Sequence, residues 1–440
     1  MSKSSSLNIR EFINQHALSR NQWVLIALCF CIVAVDGMDV AIMGFVAPSI
    51  IAEWGISRPA FGAVMGAAPI GLAIGALVAG SSSDWWGRRK VLLGSVLFFG
   101  LCTLCTAHAS NVTEMALWRL LTGLGLGAAM PNATTLLSEY VPEHRRSFLV
   151  AAMFTGFNLG SGVVGFIAAG LIPHWGWQSV LYVGGALPLL MLPLLYLYLP
   201  ESARFMVTRG MSADRIAKVL GRVTQVPMAD IQRFESGEPA VAARQPIAVL
   251  FSQGFKLRTL TLWSTYFMGL LVIYLTTSWL PTMMKDAGMS VDRAATVTAM
   301  FQVGGTVGAL LVGWLMDRFN ANRVIAASYL LGAVALVCTG KIGLLSASLV
   351  VLVTCVGFCL SGAQTGLNGF APGCYPTLAR ATGVSWMLGV GRLGSIVGSS
   401  IGGVLLSQGW GFSGIFYALA VPAVLASLSI LLNRRGLSTQ

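Results

Sequence analysis

GSSSDWWGRRK, residues 80–90, has a second copy in the same chain: GWLMDRFNANR, residues 313–323, also runs from a glycine through an aspartate to a closing cation. Asp84 and Asp317 set an offset of about 234 residues, and the offset persists elsewhere. LGSGVVGFIAAGLIPHWGW (159–177) is echoed by LGSIVGSSIGGVLLSQGWGF (393–412). Tyr140 and Tyr375, Pro142 and Pro376, Arg146 and Arg380, Trp175 and Trp410, and Tyr182 and Tyr417 keep the step to within a residue or two. Chance similarity of glycine-rich apolar helices does not hold one spacing across separate stretches, so the chain is a tandem repeat.

Each copy is apolar from end to end. Hydrophobic residues make up 55% of the chain and charged residues 10%, and windows of the roughly 20 residues that cross a hydrocarbon core recur. Twelve such windows start near residues 22, 59, 91, 113, 147, 177, 257, 291, 324, 346, 382 and 411. They are too long for barrel strands and lipid demands internally satisfied backbone, so each is a helix. The expected fold is an all-α membrane protein, twelve transmembrane helices in two parallel-repeat six-helix bundles. An even number of spans per copy makes both copies insert the same way, which places a site near the midplane between them and favours alternating access. The boundaries are an N-terminus of 1–21, a first bundle of 22–199, a linker of 200–256, a second bundle of 257–433 and a C-terminal tail of 434–440.

The net charge of +12 follows from sidedness rather than from nucleic acid. With both ends inside, Arg58, Lys285, Arg293 and Lys341 fall outside and Arg119 and Arg392 fall within spans, while the rest of the 28 Lys and Arg, among them Lys3, Arg10, Lys90, Arg434 and Arg435, are cytoplasmic. The opening MSKSSSLNIREFINQHALSRNQ, with no small-residue cleavage site after the apolar core, argues against a cleaved signal. The eight cysteines lie mostly in apolar windows, and the Cys102–Cys105 pair has no second ligand pair, so small core residues are the plain alternative to a metal or redox role. His16, His108, His144 and His174 fall at span ends. No cofactor is expected. No GxxxxGK[ST] loop supports a nucleotide-driven pump, and no nucleophile with a base supports an enzyme.

Four ionisable residues remain inside spans: Asp36, Asp39, Arg119 and Arg392. Buried charges of this kind usually face a cavity and pair with one another. Asp36 lies roughly 21 Å in from the cytoplasmic side at 1.5 Å per residue, and Arg392 reaches a similar depth. A three-residue step puts Asp36 and Asp39 on one helix face. Two carboxylates that close resist joint ionisation, so one can carry a proton; the alternative is a bond to a neighbouring helix. Each arginine can take a carboxylate in bidentate fashion or serve as counterion to an aspartate. Arg392 aligns with Asn158 of the first half. Asn132, Tyr266, Tyr274, Thr276, Thr277, Gln364 and Asn368 are cavity or interhelical polar groups; Trp279 and Trp386 stack on a ring or sit in the interfacial belt. In the 80–90 loop, Gly87 permits a tight turn, and Asp84, Arg88 and Arg89, with Glu139 and the second copy's Asp317 and Arg318, form either a cytoplasmic latch or plain charge anchoring.

The paired loops, Arg119 with TGLGLGAAMPN, and PESARF after the sixth span resemble the major facilitator superfamily over nearly the whole chain. DGMD (36–39) looks like the DGxD signature of the aromatic acid:proton symporters, and LTGLGLGAAMPNATTLLSEY (121–140) with RATGVSWMLGVGR (380–392) resembles their hydroxybenzoate permeases. The resemblance implies proton-coupled uptake of an aromatic carboxylate such as 4-hydroxybenzoate, protocatechuate or gallate across a bacterial inner membrane, with Asp36 and Asp39 essential and no obligatory protein partner. In that family an arginine usually follows the loop aspartate; here it is Trp85. The rivals are a proton-driven exporter of small organic compounds, which would need acids without arginine in its cavity, and a non-transporting sensor of aromatic acids.

Overall fold

The computed structural model describes residues 6–228, 231, 233–235, 250–252, 255–342, 348–375 and 377–433, without the side chains of residues 79–81, 84, 147 and 377–381. Twelve described helices are long and apolar enough to cross a membrane. In chain order they are Arg20–Trp54, Arg58–Trp86, Arg88–Thr106, Val112–Tyr140, Glu143–Trp175, Gln178–Tyr198, Lys256–Asp286, Val291–Arg318, Ala321–Ile342, Ser348–Phe370, Thr377–Ser407 and Phe412–Leu432, termed the first to twelfth spans. The protein is a multi-pass membrane protein.

Local chemistry sets the ends of these helices. Ser19 caps the first span with a capping box completed by Gln22, and Gly55, in the left-handed region at φ 60°, ends it. Gly87 (φ 92°) joins the second span to the third in a single residue, a conformation that disfavours any side chain. Several spans carry internal prolines, Pro48, Pro131 and Pro281 among them, which neighbouring helices let a membrane helix tolerate.

The repeat is visible in the packing. The second span packs most extensively on the fourth and the eighth on the tenth; the first pairs with the fifth and the seventh with the eleventh; the third pairs with the sixth and the ninth with the twelfth. The halves meet through the fifth and eighth spans, the second and eleventh, and the first and seventh, a set that maps onto itself when the halves are exchanged. These cross-half contacts gather toward one end. A Cβ on Gly44 would press on the backbone of Thr277 and Ser278, one on Gly62 on the Ser400 carbonyl, and one on Gly403 on the Arg58 carbonyl. At that end Arg58 grips Asp286 in bidentate fashion, Nε to Oδ2 at 2.9 Å and Nη2 to Oδ1 at 2.8 Å.

At the opposite end the N-terminal segment and the linker build a cap on the first half. The linker contains helices Ala203–Thr208 and Ala213–Thr224 and a strand Arg233–Glu235 that pairs in parallel with Ser6–Asn8. Ile216, Leu220 and Val223, at helical spacing, bury against the first half together with Ile9 and Ile13. Ser19 Oγ donates to the Val223 carbonyl (2.5 Å), Asn21 Nδ2 to that of Arg222 (2.6 Å), and Arg10 pairs with Glu143.

Candidate functional site

The first span is pulled against the fifth by paired glycines. A Cβ on Gly37 would collide with the Phe157 carbonyl and one on Gly160 with that of Ala34, and Ser161 Oγ donates to the Gly37 carbonyl at 2.7 Å. Backbones this close fix the rotation of the first span, and with it the directions of its two acids.

Those directions differ. Asp39 is fully buried and points into the first half, where Thr103 Oγ1 donates to Oδ1 at 2.6 Å. Arg119 clamps it: Nη1 reaches Oδ1 at 3.2 Å, while Nη2 reaches Oδ2 at 2.8 Å and the Asp39 carbonyl at 3.2 Å. Arg119 is itself 0% exposed, so this pair is closed from water and from the gap between halves. Asp36 is 1% exposed, yet neither of its carboxyl oxygens has a hydrogen-bond partner among the described residues. The cation acting on it is Arg392 of the eleventh span, in the other half. A buried carboxylate without donors is strongly disfavoured, so the group either holds a proton or awaits one.

Around Arg392 the second half supplies polar groups. Tyr274 and Tyr266 lie within its electrostatic reach, and Tyr266 also approaches Gln364 and Asn368. Tyr329 donates to Gln364 Oε1 at 2.7 Å; among the described residues Gln364 Nε2, Asn368 Oδ1 and Ser361 Oγ have no hydrogen-bond partner. Across the halves, the Nδ2 of Asn158 would lie 3.6 Å from a Cβ on Gly305, with Ser361 beside it. A half-buried guanidinium, an uncommitted acid and several unsatisfied amide or hydroxyl groups thus converge at the contact between halves. That set can hold a small anion carrying ring hydroxyls, together with a proton.

The Major Facilitator Superfamily model matches residues 29–290 and 262–438. The chain belongs to the Major Facilitator Superfamily. It is 55% identical to the gallate transporter of Pseudomonas putida over 97% of this chain and 95% of that one, and 50% identical to the 4-hydroxybenzoate transporter PcaK of the same species over 98% and 97%. Among solved structures, the D-xylose-proton symporter superposes with a TM-score of 0.72 at 18% identity, covering 93% of this chain and 97% of that one, which shows the shared fold.

Within this superfamily fold the remaining polar residues take definite places. Thr276 and Thr277 donate to carbonyls of their own helix, those of Val272 and Ile273, and Asn132 Nδ2 donates to Ala128 in the same way. Trp279 is neither a ring-stacking platform nor a belt residue: it is fully buried and its Nε1 donates to the Ser399 carbonyl at 2.7 Å, tying the seventh span to the eleventh. Trp386 is 46% exposed and stacks on Trp263. Thr103, Ser361 and Tyr329 carry no charge and lie in mostly apolar runs, so nothing in the sequence singles them out.

The loop cations stay within their own half. Arg88 Nη1 lies 3.5 Å from Glu139 Oε1 and donates to Ser202 Oγ at 3.1 Å, while Ser202 donates to Glu139 Oε2 at 2.5 Å. Arg89 Nη2 donates to the Tyr196 carbonyl at 2.5 Å, and its backbone N–H to Glu201 Oε1 at 3.1 Å. Arg318 lies over the ring of Trp314 in its own helix, and Asp317 is exposed. The side chain of Asp84 lies outside the described residues, as do Lys3, Arg434, Arg435, Pro376 and the side chain of Arg380.

An ion pair that bridges the halves among the described residues, Arg58–Asp286, sits at the closed end and was not among the latch residues expected from sequence. Both side chains are about a third exposed (37% and 35%), so solvent screening limits the pair to roughly 0.2–1 kcal/mol. Asp286→Asn is therefore expected to raise the population open at that end by about 1.4- to fivefold. The measurement is the distance distribution between spin labels at Ser57 and Ala287; an unchanged distribution refutes a latching role.

Proposed function

We propose that this protein carries a hydroxylated benzoate, gallate or 4-hydroxybenzoate being the leading candidates, inward across the bacterial inner membrane together with a proton. The termini and the linker face the cytoplasm, and the two halves, residues 22–199 and 257–433, rock about the site while the linker keeps them together. The protein moves its substrate without converting it.

The observation that carries this reading is Asp36, buried on the first half without a hydrogen-bond partner among the described residues and under the field of Arg392 on the second. Protonation of Asp36 releases Arg392 from its countercharge, and the guanidinium then takes the substrate carboxylate as a two-donor fork. Gln364, Asn368 and Ser361 offer unmatched polar atoms to ring hydroxyls, with Tyr274 and Asn158 at the wall. The names of the relatives support a hydroxylated benzoate. Asp39 and Arg119 hold the first span in register rather than touching substrate. When the inner end closes, Asp84, Arg88, Arg89 and Glu139 approach Asp317 and Arg318 and supply the contacts that replace the Arg58–Asp286 pair.

Uptake into proteoliposomes with an imposed pH step tests this, using labelled gallate, 4-hydroxybenzoate and benzoate. A monoanion moving with one proton carries no net charge, so a step of about one pH unit should accumulate substrate roughly tenfold. Accumulation that ignores the pH step would sink the coupling. For specificity, Gln364→Leu is expected to raise KM about three- to tenfold for hydroxylated benzoates while leaving benzoate itself unchanged, the worth of one neutral hydrogen bond. An equal change for all three acids removes Gln364 from hydroxyl recognition.

A further inference from the structure

A cavity of about 530 Å³ lies away from the contact between halves, at the end that carries the linker. It opens where the second span ends at Trp86, the third begins at Arg88 and the sixth ends at Tyr198, and helix Ala213–Thr224 of the linker forms its outer wall. Six cations line it, Arg89, Lys90, Arg209, Arg215, Lys218 and Arg222, against one carboxylate, Glu201. Glu201 is already engaged, since its Oε1 accepts the backbone N–H groups of Arg89 and Ser202. The cavity therefore carries a strong excess of positive charge.

Two features set the level and the direction of what would enter. Trp85 and Trp86 at the mouth are 74% and 68% exposed, the placement of indoles at a membrane–water boundary. From the mouth an apolar lane runs into the membrane-spanning region. Lys90 lies on the same helical face as Leu97 and Leu101, and Tyr198 on the same face as Leu194 and Leu190, all four leucines being exposed to the surround. The third and sixth spans that carry them pack side by side. A basic socket continued by an apolar lane matches a phosphate ester with acyl chains, and a free inorganic anion would leave the lane and the indoles unused.

The second copy of the loop lacks these features. Trp85, Trp86 and Arg89 correspond to Arg318, Phe319 and Asn322, so the socket is not a requirement of the fold. The exchange of arginine for Trp85 after the loop aspartate also gains a purpose, since Arg209 of the linker lies over the Trp85 ring at 5.9 Å and donates to its carbonyl at 3.4 Å.

We infer that this cavity is a binding site for the headgroup of an anionic phospholipid, with its acyl chains along the third and sixth spans and its phosphate clasped between the first half and the linker helix. Such a lipid fastens the linker to the first bundle and leaves the second bundle free to rock.

The test uses full-length protein in detergent, titrated with phosphatidylglycerol, phosphatidylcholine or inorganic phosphate and read by native mass spectrometry and thermal unfolding. The expected result is a preference for phosphatidylglycerol over phosphatidylcholine of about tenfold or more, reduced about tenfold by Arg215→Gln with Lys218→Gln on the exposed face of the linker helix. Lys90→Gln, on a different element, should weaken binding in the same direction. The pair Arg145→Gln with Arg323→Gln removes equal charge from exposed positions elsewhere at that end and should leave binding intact. An equal loss in this control pair, no headgroup preference, or protection by inorganic phosphate alone as strong as by lipid would each overturn the inference.

Discussion

Arg119→Met is expected to lower the stability of the protein by about 3–5 kcal/mol, because it leaves the Asp39 carboxylate buried with no cation to answer it. In the wild-type protein two guanidinium contacts, at 2.8 and 3.2 Å, and the Thr103 hydroxyl satisfy that group. Removing both charges should undo most of the damage. Asp39→Asn with Arg119→Gln keeps hydrogen-bonding groups of similar shape while orphaning no ion, so a double-mutant cycle should return a coupling of a few kcal/mol. Thermal unfolding in detergent, followed by the loss of monodisperse protein, provides the readout. Were Arg119 a substrate ligand instead, the single variant would fold normally and show only a raised KM, and that result would falsify the counterion assignment.

Asp36→Asn should behave in the opposite way. Among the described residues nothing hydrogen-bonds to the Asp36 carboxyl, so the neutral amide disturbs none of these contacts and folding should be retained. Accumulation driven by a pH step should collapse from about tenfold per pH unit to no gradient at all. Exchange of external for internal substrate needs the rocking motion but no net proton movement, and should survive in this variant. Persistence of pH-driven accumulation in Asp36→Asn would transfer the proton to another group. Loss of exchange together with accumulation would mean that Asp36 is needed for substrate binding or rocking as such.

These two variants separate residues that look equivalent in the sequence. DGMD presents two acids three positions apart, and helical spacing puts them on one face, about 60° apart. On a helix in contact with partners on several sides, 60° is enough to give one acid to Thr103 and Arg119 within the first half and the other to the gap between halves. The likeness of Arg119 and Arg392 as lone cations in apolar spans is misleading for the same reason: one is sealed against Asp39 and the other is half-buried at the contact between halves. Trp279, Thr276 and Thr277 are polar groups in a span expected from sequence to line a cavity, yet each is turned to a backbone carbonyl within reach.

What the amino-acid sequence determined by itself was the architecture: span number from the length of apolar runs, two halves from the repeat set by the Asp84 and Asp317 loops, and the presence of intramembrane charge that packing alone does not explain. These are one-dimensional properties, imposed by the thickness of a bilayer and by duplication. Which acid is committed and which is available, which end of the molecule is closed, and where the linker helix meets the first bundle were decided only in three dimensions. They depend on the rotation of each helix about its own axis, and that rotation is set by backbone contacts such as Gly37 on Phe157 and Gly160 on Ala34, between residues more than a hundred positions apart.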